Sequence, residues 1–259
     1  MTRTGPTGVA RRTRLGLPPE IRACLFDLDG VLTRTERVHA AAWKEMFDDY
    51  LRARAGPGVP FTPFDEHDDY LRFVDGKTRA DGVRSFLGSR GIELPDGQPD
   101  DPVARETVHG LGNRKNEIVL AVIARIGVEV YEGSVRYVHA VREAGLRCGV
   151  VSSSANCRDV LAKADLAPLF DVVVDGTDAV AKHLSGKPAP DAYLAAAKGL
   201  GVPPVLAAVF EDAEAGVEAG RMGGFGFVVG VDRSNRPHAL RDHGADVVVA
   251  DLEELLTER

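Results

Sequence analysis

The 259-residue sequence has only three cysteines, Cys24, Cys148 and Cys157, an odd number with no disulfide framework to suggest. The first two lie in apolar runs, where a thiol packs as a small hydrophobe, so reduced buried thiols and a cytoplasmic location are expected. No stretch approaches the roughly 18 uncharged apolar residues of a membrane span, so no membrane association is expected. Charges at Arg14, Glu20 and Arg22 break up what would have to be a signal peptide's apolar region. Residues 1–17 therefore read as a flexible tail, and the Arg11-Arg12 pair lacks the apolar stretch of a twin-arginine export signal. Positive charge is also short: 32 Lys and Arg against 39 Asp and Glu leave a net charge of −7. A broad basic surface for nucleic acid is thereby excluded, although a small anionic substrate is not. There is no Cys/His cluster of the kind zinc prefers, no repeat and no low-complexity segment.

What is present is the balance of a globular chain, with 44% apolar and 27% charged residues. Short apolar runs occur at 21–28, 146–151, 170–174, 206–210, 225–229 and 246–249, several of them almost continuous in Val, Ala and Phe. Such runs suit parallel strands buried on both faces. Helical patterns at 135–144, 158–164, 190–199 and 213–219 alternate with them, which predicts an α/β fold with an open, doubly wound, mainly parallel sheet. Between residues 35 and 130 the pattern changes. Helical periodicity at 36–54, 79–91 and 107–126, without a convincing strand, predicts a separate helical domain inserted after the first strand. The core is then 18–34 with 131–259, and the segments 56–75 and 95–102 are expected to be loops.

In doubly wound sheets ligands lie beyond the carboxyl ends of the strands. The first run ends in Asp27 and Asp29; Ser152, Ser153, Ser154 and Asn156 follow the second; Lys187 comes some way after the third; Glu211 and Asp212 follow the fourth. Asp27 and Asp212, helped by Glu211 and the backbone carbonyl of Asp29, form a hard-oxygen set suited to Mg²⁺. Ser152, Ser153 and Lys187 would hold phosphate oxygens. Asp27 is the candidate carboxylate nucleophile, forming an aspartyl-phosphate, and Asp29 the general acid/base. Each motif alone has a plainer reading as a turn, a helix cap or a surface lysine. Their order at successive strand ends favours chemistry.

These residues resemble the haloacid dehalogenase superfamily of phosphotransferases over nearly the whole chain after about Glu20. Asp27-Leu28-Asp29-Gly30-Val31-Leu32 is similar to its first motif, Ser152 to its second, Lys187 in Gly-Lys-Pro-Ala-Pro-Asp to its third, and Phe210-Glu211-Asp212-Ala213 with Ala215-Gly216 to its fourth. The resemblance implies a Rossmann-like core, Mg²⁺, an aspartyl-phosphate, and a helical cap domain spanning 35–130 that selects the substrate. Within the superfamily, Thr35, His39, Trp43, the segment from Gly76 to Asp81 containing Arg79, Arg114-Lys115-Asn116 and the loop Ser152 to Asn156 resemble the β-phosphoglucomutase-like subgroup.

That subgroup interconverts β-D-glucose 1-phosphate and D-glucose 6-phosphate through a bisphosphate, so hexose phosphates and hexose bisphosphate are the expected partners. A mutase must hold two phosphates at once, and Arg79 offers a planar fork for the remote one, with Lys115 reaching the sugar or the same phosphate. His39 is expected to hydrogen-bond Asp29 or to be structural on its helix, Trp43 to line the sugar pocket or to pack in a core, and Thr35 to contact the acid/base or to cap its helix. Arg34 departs from the pattern, standing where these mutases usually carry an acid, and the segment 56–75 is longer than in compact mutases. The alternatives are a sugar-phosphate phosphatase, in which water takes the phosphoryl group, and a non-catalytic sugar-phosphate-binding regulator. Nothing marks a self-association surface, so a monomer is expected.

Overall fold

The computed structural model describes residues 13–256 apart from Pro57 and Val59. The chain forms two compact units, one made of the chain up to Arg34 together with Glu129 onward, the other of Thr35–Val128.

The first unit is built on six parallel strands: β1 (Ala23–Phe26), β2 (Arg147–Val151), β3 (Val172–Val174), β4 (Ala207–Glu211), β5 (Phe227–Val231) and β6 (Val247–Val249). They lie in the order β3-β2-β1-β4-β5-β6, so the direction of winding reverses between β1 and β4 and opens a crevice there. β1 is buried on both faces because helices cover both, which is why Ala-Cys-Leu-Phe contains no polar residue. Its register with β4 sets Phe26 opposite Phe210, and the two rings stack at 4.5 Å. That alignment brings Asp27 and Glu211, the next residue of each strand, to one edge. Ala23, Leu25, Val209, Tyr193 and Val217 belong to one continuous core beneath it.

Several boundaries differ from expectation. β5 begins at Phe227 rather than 225, because Phe225 turns into the core against Tyr193. β4 extends to Glu211, so this carboxylate ends the strand rather than following it. The helices Gly176–Ala181 and Pro237–Asp242 have six residues each, too few turns to generate a readable 3.6-residue period. The tail expectation fails where it can be checked: Leu15 and Leu17 are buried, and Tyr137 Oη donates to the Leu15 carbonyl at 2.8 Å. The remainder of that expectation, including Arg11-Arg12, lies outside the described residues. All three cysteines are free and buried. Among the described residues no helix is long and apolar enough to cross a membrane.

The second unit is helical: α1 (Thr35–Ala55), a π-helical turn Tyr70–Val74, α2 (Arg79–Ser89) and α3 (Val108–Ile126). Thr78 and Thr107 cap α2 and α3 by accepting from the Asp81 and Gly110 amides. Its core is aromatic, with Phe47 stacked on Trp43 and packed against Phe64 and Phe86. The segment 56–75, expected to be a loop, is partly ordered by that core. Phe64 is buried in it, its amide donates to Asp48 Oδ1 at 2.7 Å, and its carbonyl accepts from Lys44 at 2.9 Å.

Candidate active site

The sheet's reversal point collects the polar residues. The Asp27 amide continues the β1–β4 ladder by donating to the Phe210 carbonyl at 2.9 Å, which fixes the carboxylate at the sheet edge. Lys187 Nζ donates to Asp27 Oδ1 at 2.5 Å and also to Glu211 Oε1. Tyr193 Oη donates to the same Glu211 oxygen at 2.7 Å, and the Ala213 amide to the other at 3.2 Å. A Cβ on Gly216 would lie 2.0 Å from that carboxylate, so only glycine leaves room for it.

Gly30, at φ +85°, turns the chain beyond Asp29, and a Cβ there would lie 1.8 Å from Asp212 Oδ2. The Asp212 carboxylate thus packs against the loop that carries Asp29. Ser152 Oγ lies 3.4 Å from Asp29 Oδ2 as a donor and accepts from the Ser154 amide at 3.0 Å. Its own amide donates to the Val174 carbonyl. Ser154 Oγ in turn accepts from the Asn156 amide, and the Ser154 carbonyl takes the Gly176 amide. Ser152, Ser153 and Ser154 therefore sit on a loop tied to the ends of both β2 and β3.

The electrostatics follow from burial. Burial alone would push the Lys187 ammonium down, but Asp27 and Glu211 outweigh it and hold its pKa above the ordinary lysine value. Burial pushes the Asp27 carboxyl well above the usual carboxylate range; Lys187 pulls it back, while Glu211 and Asp29 push it further up. Four carboxylates, Asp27, Asp29, Glu211 and Asp212, gather at this edge of the sheet, two of them bonded to Lys187.

Magnesium fits the chemistry of these donors, which are all oxygen. No three His, Cys, Asp or Glu side chains among the described residues already form a ligand cage. Mg²⁺ commonly keeps several waters and needs only one or two carboxylates, so Asp27, Asp212 and the Asp29 carbonyl are candidates to hold it. Glu211 has both oxygens engaged by Lys187, Tyr193 and Ala213, so a ligand role for it means exchanging one of those bonds.

In the helical unit, His39 and Trp43 stand one turn apart on α1. Lys115 Nζ lies 2.5 Å from His39 Nδ1 and 4.8 Å from the centre of the Trp43 ring. With lysine as donor, His39 presents an unprotonated Nδ1. Trp43 belongs to the aromatic core of this unit, the plainer of the two roles open to it. Arg79 is the first residue of α2, and its guanidinium is 3.4 Å from the Gly112 carbonyl and 3.5 Å from Asn113 Oδ1. Gly112 and Lys115 are three residues apart on α3, hence on one face. Gly76, at φ +69°, makes the turn that precedes α2. Thr35 opens α1 rather than preceding it.

Sequence reasoning missed two residues. Tyr193 reads as an ordinary apolar-face residue in a helix of alanines, and nothing in its spacing announces the bond to Glu211. Arg233 lies beyond β5 in a polar turn, 203 residues from Gly30, whose carbonyl it holds at 2.7 Å.

A strand-end aspartate paired to a buried lysine, with a second aspartate just beyond β4 and a serine just beyond β2, is an arrangement suited to phosphoryl transfer on a doubly wound fold. Residues 21–224 match the haloacid dehalogenase-like hydrolase family, and the chain belongs to it. Within that family it is similar to a β-phosphoglucomutase of Mycobacterium bovis, 58% identical over 93% of this chain and 94% of the relative. A β-phosphoglucomutase of Bacillus subtilis is 32% identical over 92% and 93% of the two chains. The crystal structure of β-phosphoglucomutase from Clostridium difficile superposes with a TM-score of 0.68 at 25% identity, covering 91% of this chain and 93% of that one.

Proposed function

We propose that this chain is a magnesium-dependent β-phosphoglucomutase, converting β-D-glucose 1-phosphate to D-glucose 6-phosphate through an aspartyl-phosphate enzyme and a hexose bisphosphate. The 58% identity to a β-phosphoglucomutase across almost the full length of both chains supports the activity most strongly. The buried Asp27–Lys187 pair supports the chemistry.

In the first half-reaction a hydroxyl of the sugar phosphate attacks the phosphoryl group carried by Asp27 as the phosphorus–oxygen bond to Asp27 breaks, and Asp29 takes the hydroxyl proton, which gives the bisphosphate. The bisphosphate reorients. In the second, an Asp27 oxygen attacks the other phosphorus as its bond to the sugar oxygen breaks, Asp29 returns the proton to that leaving oxygen, and phosphorylated Asp27 is regenerated. Lys187 and Ser152, with Ser153 beside it, hold the non-bridging oxygens, and Glu211 with Tyr193 keeps Lys187 in place. Asp27, Asp212 and the Asp29 carbonyl would hold Mg²⁺, which would supply the charge that lets a carboxylate approach a phosphate. The helical unit, Thr35–Val128, is assigned as the cap: Arg79 to the remote phosphate, Lys115 and His39 to the sugar side, with Ser154, Asn156, Thr35 and Gly76 shaping the surroundings. The enzyme is proposed to act as a cytoplasmic monomer.

The test is incubation with Mg²⁺, β-glucose 1-phosphate and a trace of glucose 1,6-bisphosphate, following glucose 6-phosphate and free phosphate together. Glucose 6-phosphate without matching phosphate is the expected result. Phosphate as the main product would make the chain a phosphatase, and binding without turnover would make it a regulator.

A further inference from the structure

We infer that Arg233 is a positioning residue for the acid/base Asp29, acting through the backbone of the following glycine. This inference rests on the proposed role of Asp29. The loop from Leu28 to Arg34 is a tight structure in which the Gly30 amide donates to the Thr33 carbonyl at 2.8 Å and the Thr33 amide to the Leu28 carbonyl at 3.0 Å. Those bonds satisfy the loop internally, but the Gly30 carbonyl points out of it. Arg233 Nε fills that position at 2.7 Å, while its Nη1 donates to the Ala250 carbonyl at 2.6 Å beyond β6. One guanidinium thus ties the Asp29 loop to the far side of the sheet.

The arginine is itself held. Asp232 Oδ1 accepts from the Ser234 and Arg236 amides at 3.1 and 3.0 Å, which shapes the turn on both sides of Arg233. Its guanidinium carbon lies 3.5 Å from the centre of the Tyr131 ring, and Arg34 lies 4.4 Å from the same centre. Tyr131 is buried, and its amide donates to the Leu32 carbonyl at 2.9 Å. Nη2 of Arg233 is buried without a hydrogen-bond partner among the described residues; the Tyr131 ring and the Asp251 carboxylate, 3.8 Å from Nη1, meet the rest of its charge. A half-buried arginine that leaves one buried nitrogen unbonded is costly to keep for packing alone. Its two strong bonds go to the active-site loop and to the backbone beyond β6, and Gly30 is also the residue against which Asp212 packs. The tie therefore fixes where Asp29 stands relative to the metal-side carboxylate. Arg34, the departure noted in the sequence, lies over the same ring.

The test compares the full-length enzyme with Arg233→Met and Arg233→Lys in the presence of Mg²⁺. Acetyl phosphate should phosphorylate Asp27 without a proton donor, since acetate is a good leaving group, whereas transfer to and from the sugar needs Asp29. In Arg233→Met, labelling of Asp27 by acetyl phosphate should stay within about threefold of wild type while mutase kcat falls roughly tenfold or more, with KM within about threefold. Arg233→Lys, which keeps one donor for Gly30, should recover part of the kcat. Unchanged kcat in Arg233→Met, or labelling that falls in step with kcat, would overturn the inference. Wild-type enzyme that acetyl phosphate fails to label at Asp27 would instead sink the reading of the site, and this inference with it.

Discussion

Lys187 sets the electrostatics of the site from a single buried position, with Asp27 and Glu211 both bonded to its ammonium. Breaking a buried pair by removing one partner leaves the other charges uncompensated, which typically costs about 3–5 kcal/mol. Lys187→Met should therefore lower the urea midpoint as well as abolish turnover, and a variant of unchanged stability would contradict the pairing. Tyr193 makes a smaller contribution. Tyr193→Phe removes one donor to Glu211, whose remaining bonds to Lys187 and Ala213 persist, so a loss of about 1–2 kcal/mol with reduced but measurable activity is expected. Denaturant titration and steady-state kinetics on the same preparation would check both parts. Asp27, Ser152, Lys187 and Asp212 could be picked out in the sequence because they follow successive strands in a recognisable order. Tyr193 and Arg233 could not, because their partners are backbone or carboxylate groups brought near only by the folded sheet.

At the level of elements, close packing of glycines decides whether the strand ends can converge. The helix after β4 starts at Glu214 and brings Gly216 against the Glu211 carboxylate, where an added Cβ would sit 2.0 Å from its carbon. Both groups are backed by core, so Gly216→Ala should cost about 1–3 kcal/mol as overpacking and displace Glu211 from Lys187. Thermal unfolding together with mutase rate would show both losses; a stable, fully active variant would contradict the geometry. The strands themselves were readable as apolar runs, because burial on both faces removes polar residues from each. Their order was not, since nothing in a single run states which neighbour it pairs with; the reversal between β1 and β4 emerges only in the sheet. Likewise the segment 56–75 read as a loop from its prolines, whereas Phe64 is anchored by an aromatic core contributed by helices on either side in sequence.

For the whole molecule, the scarcity of cysteine and its burial make a joint prediction. Burial pushes the Cys148 thiol up to about 12 and raises Cys24 and Cys157 as well. Native protein at pH 8 should therefore react with none of its thiols in an Ellman assay, and denatured protein with all three. Rapid labelling of the native form would contradict the packing. The sign of the pH effect follows: above the unfolded thiol value of about 8.5 the unfolded chain gives up its protons first, so stability falls as pH rises toward the folded values. The urea midpoint should decline above that point, and less so in Cys148→Ala.

All of the proposed chemistry depends on which carboxylate carries the phosphoryl group. The direct measurement is to phosphorylate the enzyme with labelled glucose 1,6-bisphosphate, reduce the acyl phosphate with borohydride, and map the modified residue. Conversion at position 27 alone, absent in Asp27→Asn, is the predicted result. Modification at Asp29 or elsewhere, or label retained by Asp27→Asn, would contradict it.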